Sequence, residues 1–235
     1  MEREIFLNRV ASSLARERQT SPPIRTEVGV PDFYKKAPLT TNTRDNASWA
    51  ETFRLELEAI GGVVSIVDDV DGASCSLRQT LAELGPESII TWAKSEFIDW
   101  NLDWLWDTNG AQEWTSEAFG ANLSDARIAA RSAHVGVTTV DFAIVNTGTL
   151  MFVTNPRRNR SVSLLPTVHI ALVRESQLVQ RMGLALEILN GTDGASMPSS
   201  VHFISGPSRS ADIENDLCIG VHGPAAVTVI VCKGI

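Results

Sequence analysis

Val63-Val-Ser-Ile-Val67 and Ser88-Ile-Ile-Thr-Trp92, with the stretch Ser76 to Leu84 between them, decide the fold. The first apolar run reads as a buried strand, and Ser88 to Trp92 reads as the next one. Ser76 to Leu84 reads as a helix, and Gly85-Pro86 stops it because neither residue continues helical hydrogen bonding well. A strand, helix, strand succession needs a crossover, and right-handed crossovers make the two strands parallel. The expected fold class is therefore α/β: an open, mainly parallel sheet with flanking helices.

Working outward, Phe53, Leu55, Leu57 and Ile60 supply the apolar side of a helix that Asn46 or Ser48 caps and Gly61-Gly62 ends. Ile5, Phe6, Val10 and Leu14 stand at helical spacing in an amphipathic N-terminal helix. Thr20 to Asn46 contains Pro22, Pro23, Pro31 and Pro38, a composition suited to an extended arm. The expected division is residues 1–45 as helix and arm and 46–235 as the α/β domain. Downstream, Ser124 caps a helix through His134, and a strand is expected from Val137 to Val145. Leu150-Met-Phe-Val153 and Thr167 to Val173 are further strands, with His169 taken as a core imidazole in the second. Glu175 to Leu189 is expected as a helix with Leu178, Val179, Met182, Leu186 and Leu189 facing inward, and Ala226 to Cys232 as the final strand.

The chain has 235 residues, 43% of them hydrophobic, enough for a sizeable core. A net charge of -8 without a long basic run argues against nucleic acid as the main partner. No 18-residue apolar stretch occurs and the N-terminus lacks a signal-peptide pattern, so a cytoplasmic location is expected with no membrane span. The three cysteines, Cys75, Cys218 and Cys232, match neither a disulfide framework nor a zinc or iron–sulfur spacing, and are expected reduced and buried. Asp99, Asp103 and Asp107 would share one stripe of a helix; they lack the neutral ligands and turn glycine of a calcium loop, so a solvated acidic face is expected and no metal site is assigned. The tryptophans around them, from Trp92 to Trp114, are read as packing anchors.

Two polar segments carry the chemistry. Asn146-Thr-Gly-Thr149 interrupts an apolar run, where a backbone either approaches a ligand closely or makes a tight hairpin bend. Gly206-Pro-Ser-Arg-Ser-Ala-Asp-Ile-Glu214 follows the strand-like Val201-His-Phe-Ile-Ser205. Ser208 or Ser210 is expected to cap a short helix through Asp212, Ile213 and Glu214, whose N-terminus would favour an anion clamped by Arg209; the alternative pairs Arg209 with Asp212 or Glu214. The two segments are expected to meet across one cleft at the carboxyl ends of strands, lined by Thr147, Thr149, Ser208, Arg209 and His222. Asn155-Pro-Arg-Arg-Asn-Arg160 reads as a solvated turn.

Gly206 to Glu214 together with Gly220-Val-His-Gly-Pro224 resembles the C-terminal signature of the LUD-domain family, in its LutC (lactate utilization protein C, YkgG-like) branch. Gly136-Val-Thr-Thr-Val-Asp141, Ala143-Ile-Val-Asn-Thr-Gly-Thr149 and Ser163-Leu-Leu-Pro-Thr-Val-His-Ile170 support the resemblance upstream. It implies a NagB/RpiA/CoA-transferase-like architecture and a part in oxidising L-lactate to pyruvate beside iron–sulfur proteins. Those partners would hold the clusters, with no cofactor in this chain. On this resemblance Asn146, Thr147, Gly148 and Thr149, with Gly206, Ser208, Arg209 and Ser210, are candidates for binding a small anionic substrate such as L-lactate. His222 is the candidate proton carrier, and Asp141, Asp212 and Glu214 are the carboxylates open to a catalytic role. A glutamate is frequent in the family where Asn146 stands, so a carboxylate nucleophile is not expected there. Two other classes stay open: a self-contained enzyme of the CoA-transferase or isomerase type, and a pure interaction or assembly protein.

Overall fold

The protein is described by a computed structural model over residues 48–115, 132–191, 198–211, 217–219 and 223–234, with residues 5, 8, 9, 12 and 13. The chain divides into two units, Met1–Thr41 and Asn42–Ile235. In the first, Ile5, Asn8, Arg9, Ser12 and Ser13 are helical.

Helix α1 (Trp49–Ala59) leads into β1 (Val63–Val67), and α2 (Val70–Leu84) into β2 (Ile89–Thr91). A 3-10 helix over Lys94–Trp100, α3 (Asp103–Asp107) and β3 (Gln112–Glu113) follow. Then come β4 (Val135–Thr139), β5 (Phe142–Ile144), a 3-10 turn over Val145–Thr147, β6 (Thr149–Val153), α4 (Ser161–Leu164) and β7 (Val168–Arg174). The last elements are β8 (Leu178–Val179), α5 (Met182–Gly191), β9 (Val201–Ile204), β10 (Arg209–Ala211), β11 (Leu217–Ile219) and β12 (Ala226–Cys232).

Six strands form one sheet in the order β1-β12-β7-β4-β2-β3, and every pairing in it is parallel. The architecture is thus the α/β, mainly parallel sheet with flanking helices that the strand, helix, strand succession predicts. Its central strands are continuous apolar runs because both faces are covered: Ile170, Leu172, Val173, Val229, Ile230 and Val231 are fully buried. A four-stranded mixed sheet, β8-β5-β6-β9, shares the main core with it through Ala143, Leu150 and Phe152, while Ile144 and Met151 form a second cluster with Ala185 of α5. Strands β10 and β11 pair antiparallel.

Local chemistry fixes the helix ends. Ser48 caps α1 by accepting from the N–H of Glu51, and Asp69 caps α2 by accepting from Gly72. The second cap starts α2 at Val70, six residues before the expected helix, because Asp69 meets the amide donors of the first turn. Gly85 ends α2 in the left-handed conformation. Leu55, expected on the apolar side of α1, is exposed, while Phe53 and Leu57 are fully buried.

Three other expectations are revised. The strand expected over 137–145 is two strands, β4 and β5, in different sheets, divided at Val140-Asp141 where Asp141 accepts the N–H of Val153. The helix expected over 175–189 opens as a 3-10 turn and β8, and only Met182–Gly191 is α-helical. There the side chain of Gln177 accepts from the N–H of Arg174 and donates to the carbonyl of Val140, and Leu178 and Val179 pair with β5, so strand pairing outcompetes the helical pattern. Ala185 of α5 is buried, while Met182 and Leu186 are exposed. The Asp99, Asp103 and Asp107 stripe does not form, because Asn101 at φ 51° breaks the chain between the 3-10 helix and α3. Asp99 instead pairs with Arg174 and Asp103 with Lys94. Trp92, Trp100 and Trp114 are buried anchors, as their clustering predicts. Among the cysteines, Cys232 is buried and Cys75 is exposed.

Candidate functional site

The first polar segment meets Ser205, the residue before the second. Because β6 runs antiparallel to both β5 and β9, the turn after β5 and the loop after β9 fall at the same end of the small sheet. Thr149 Oγ1 lies 2.8 Å from Ser205 Oγ, and Thr147 Oγ1 donates to Thr149 Oγ1 at 2.8 Å. The turn itself is the hairpin bend: Asn146 and Thr147 are exposed, and Gly148 sits at φ 57°. A side chain at Gly148 would come within 2.5 Å of Leu57 N, so the close backbone approach this glycine allows is to α1.

The second segment packs on the same helix. Gly206 lies against Ile60, the Ser208 N–H donates to the Pro224 carbonyl at 2.8 Å, and Arg209 Nη2 donates to the Ile60 carbonyl at 2.7 Å. The expected helix start is not found at Arg209–Ala211, which pairs as β10 with β11. Chain pairing there takes the backbone groups that a capped turn would have exposed. Arg209 consequently stands at the C-terminal end of α1, where a cation meets the negative end of the helix. Gly61-Gly62 and Pro224 precede β1 and β12, so this face lies at the amino ends of the parallel strands. Asp212, Glu214 and His222 lie outside the described residues, as does the side chain of Ser210.

The carboxyl ends of the parallel strands carry a different site. The turn Asn155 to Arg160 is drawn over the ends of β2 and β4 by three bonds. Ala93 N donates to the Arg157 carbonyl at 3.1 Å, Trp92 Nε1 to the Asn159 carbonyl at 3.1 Å, and Arg158 Nη1 to Asp141 at 2.7 Å. A cleft of about 650 Å³ opens there, lined by Thr154, Asn155, Arg158, Asn159, Arg160, Ser199 and Ser200 with Pro156. Open α/β sheets place ligands at such carboxyl ends.

Asp141 and Arg158 form the inner wall behind this cleft. Arg158 also holds Glu96, Nε to carboxylate at 2.6 Å, and its guanidinium lies 5.3 Å from the Trp92 ring centre. Burial lifts the Asp141 carboxyl above its ordinary range, against the Arg158 charge and the Val153 N–H that hold it down. Both oxygens of Asp141 are bonded, Oδ1 to Arg158 and Oδ2 to the Val153 N–H.

Two imidazoles flank Phe152. His202 stacks on the Phe152 ring at 4.9 Å between centres, and His169 lies 5.6 Å from it on a tilt. Ser163 Oγ lies 3.1 Å from the Arg160 carbonyl and 2.8 Å from His202 Nε2, which ties α4 to β9. Among the described residues the buried Nδ1 atoms of His202 and His169 have no hydrogen-bond partner, while His169 Nε2 meets Thr138 Oγ1 at 2.9 Å. Burial pushes His169 down to about 3 and His202 down to about 4; each is further lowered by a neighbouring charge, His202 and Arg160 respectively.

The sequence alone missed the cleft. Its signal was two asparagines, Asn155 and Asn159, interleaved with three arginines, Arg157, Arg158 and Arg160, and the serines at 199 and 200 approach only through the β6-β9 pairing.

The sequence pattern of the LUD domain matches residues 41–232. The chain is 33% identical to lactate utilization protein C of Bacillus subtilis, over 97% of this chain and 94% of that protein. It is 32% identical to lactate utilization protein C of Halalkalibacterium halodurans, over 98% and 97%. The crystal structure of a DUF162 family protein from Deinococcus radiodurans superposes with a TM-score of 0.56 at 20% identity, covering 79% of this chain and 96% of that one, a likeness of fold.

Proposed function

Since this chain belongs to the LUD-domain family, we propose that it serves in lactate utilization, as a subunit or accessory protein that binds the carboxylate substrate while iron–sulfur proteins carry the electrons. The observation that carries the reading is identity along nearly the whole chain to relatives named lactate utilization protein C, over 97% of this chain and 94% of the Bacillus subtilis protein. An architecture retained from end to end supports a shared role better than a matched segment would. The chain's own residues support a division of labour. Oxidising L-lactate to pyruvate releases two electrons and two protons, and this chain has three cysteines, one short of the thiolate set that holds a cluster. The reading therefore sends the electrons to the partners. Substrate binding and proton handling are left to hydroxyl, amide and guanidinium groups, which this chain has in quantity.

Growth on L-lactate as sole carbon source tests the reading. In Bacillus subtilis lacking its lactate utilization protein C, this chain is expected to restore growth, and a tagged copy is expected to retain iron-containing proteins on purification. Expression of stable protein that restores no growth and retains no iron would reject the reading in favour of a self-contained enzyme.

A further inference from the structure

We propose that the cleft over the carboxyl ends of β2 and β4 is a binding site for a small organic monocarboxylate, with Arg160 as its charge partner. This names the place of the substrate in the reading above and rests on that reading for the identity of the acid; the geometry itself calls for an oxyanion. The wall of the cleft is biased toward donors. Asn155 Oδ1 accepts the N–H groups of Arg157 at 2.8 Å and Arg158 at 3.1 Å, and Asn159 Oδ1 accepts from Ser161 at 3.0 Å. With each amide oxygen committed to backbone, each Nδ2 is left as a donor in a fixed orientation. Thr154 Oγ1 donates to the Ser200 carbonyl at 2.9 Å, so its 3.1 Å contact with Ser199 is a hydroxyl donated by Ser199, and these two residues are spent on each other. The Ser200 hydroxyl and the two amides therefore remain for a ligand, and all three suit an acceptor.

Charge selects among acceptors. Arg158 is neutralised by Asp141 and Glu96, whereas Arg160 makes no ion pair among the described residues. One uncompensated guanidinium matches one negative charge, and the carboxylates behind Arg158 disfavour a dianion. A cleft of about 650 Å³ has the size of small-molecule sites. Arg209, the cation that the sequence puts forward for the same task, is held on the C-terminal carbonyl of α1, on the opposite, amino-end face of the sheet.

The test uses the purified full-length chain and ligand-observed NMR titrations with L-lactate, pyruvate, acetate, lactamide and inorganic phosphate. The expected result is saturable binding of a carboxylate, none of neutral lactamide, and weaker binding of phosphate. Arg160→Gln is expected to weaken the carboxylate about tenfold or more with an unchanged melting temperature, while Arg157→Gln, an equal loss of charge beside the cleft, and Arg209→Gln change it less than about twofold. Equal weakening by Arg157→Gln and Arg160→Gln, loss through Arg209→Gln alone, a preference for phosphate, or no carboxylate binding would each overturn the assignment. Binding of pyruvate or acetate without L-lactate, sensitive to Arg160→Gln, upholds the cleft and counts against the lactate reading.

Discussion

Arg209 Nη2 donates to the carbonyl of Ile60 at 2.7 Å, across 149 residues of sequence, and this bond ties the loop after β9 to the end of α1. The helix leaves its last carbonyls without intrahelical partners, and a guanidinium answers both the hydrogen-bonding need and the negative helix end.

Arg209→Ala is accordingly expected to lower stability by about 1 kcal/mol, the usual net loss for one hydrogen bond. Urea unfolding checks it, with Arg209→Lys recovering part of the loss because an ammonium still donates at the helix end. A variant as stable as the parent would show the bond to be incidental.

Gly148 is placed where a side chain would strike the backbone of α1, 2.5 Å from Leu57 N, in a conformation at φ 57°. Gly148→Ala is expected to cost about 2 to 4 kcal/mol, the sum of left-handed strain and overpacking. A thermal scan reads this directly. Asn146→Ala, two positions away in the same turn and exposed, is expected to leave the melting temperature within a degree or two, so a comparable loss there would refute the steric account.

What was legible in the sequence follows from how local each determinant is. Val63–Val67, Ile89–Thr91 and the helix between them announce a parallel sheet because burial on both faces writes a continuous apolar run into the chain itself. The caps at Ser48 and Gly85 are equally local. That Asn146–Thr149 and Gly206 each follow a strand was readable, but the contact itself, Thr149 to Ser205, and its place at the amino ends of β1 and β12 were not, since they depend on strand pairing in the small sheet and on how that sheet packs against the large one. The cleft was hidden for the same reason: Arg158 acquires Glu96 and Asp141 from 62 and 17 residues away, and only then does Arg160 differ from its neighbours.

The Asp141, Arg158 and Glu96 cluster makes an asymmetric prediction. Arg158→Ala leaves two partly buried carboxylates facing each other and is expected to cost about 2 to 3 kcal/mol. Asp141→Asn keeps an acceptor for Val153 N and leaves Arg158 paired with Glu96, so about 1 kcal/mol is expected. Chemical denaturation of the two single variants measures the order, and a larger loss for Asp141→Asn would contradict it.

The imidazoles on either side of Phe152 set the acid limb of stability. Both fold neutral, His169 down at about 3 and His202 at about 4, against about 6.5 in the unfolded chain. Between those values the unfolded state binds more protons, so the stability these groups contribute is present above about pH 6.5 and is lost as pH falls toward 4 and 3. By pH 5 the expected loss is roughly 2 kcal/mol for His169 and less for His202, which is only partly buried. Asp141 opposes this: with its carboxyl raised in the fold, its contribution is present in acid and lost as pH rises through the folded value. Comparing urea midpoints at pH 7.5 and 5 for the parent and for His169→Gln separates the two slopes. The glutamine variant starts less stable, having traded a ring packed on Phe152 for an amide, but falls less between the two pH values; an equal fall in both proteins would mean that protonation of His169 plays no part in acid unfolding.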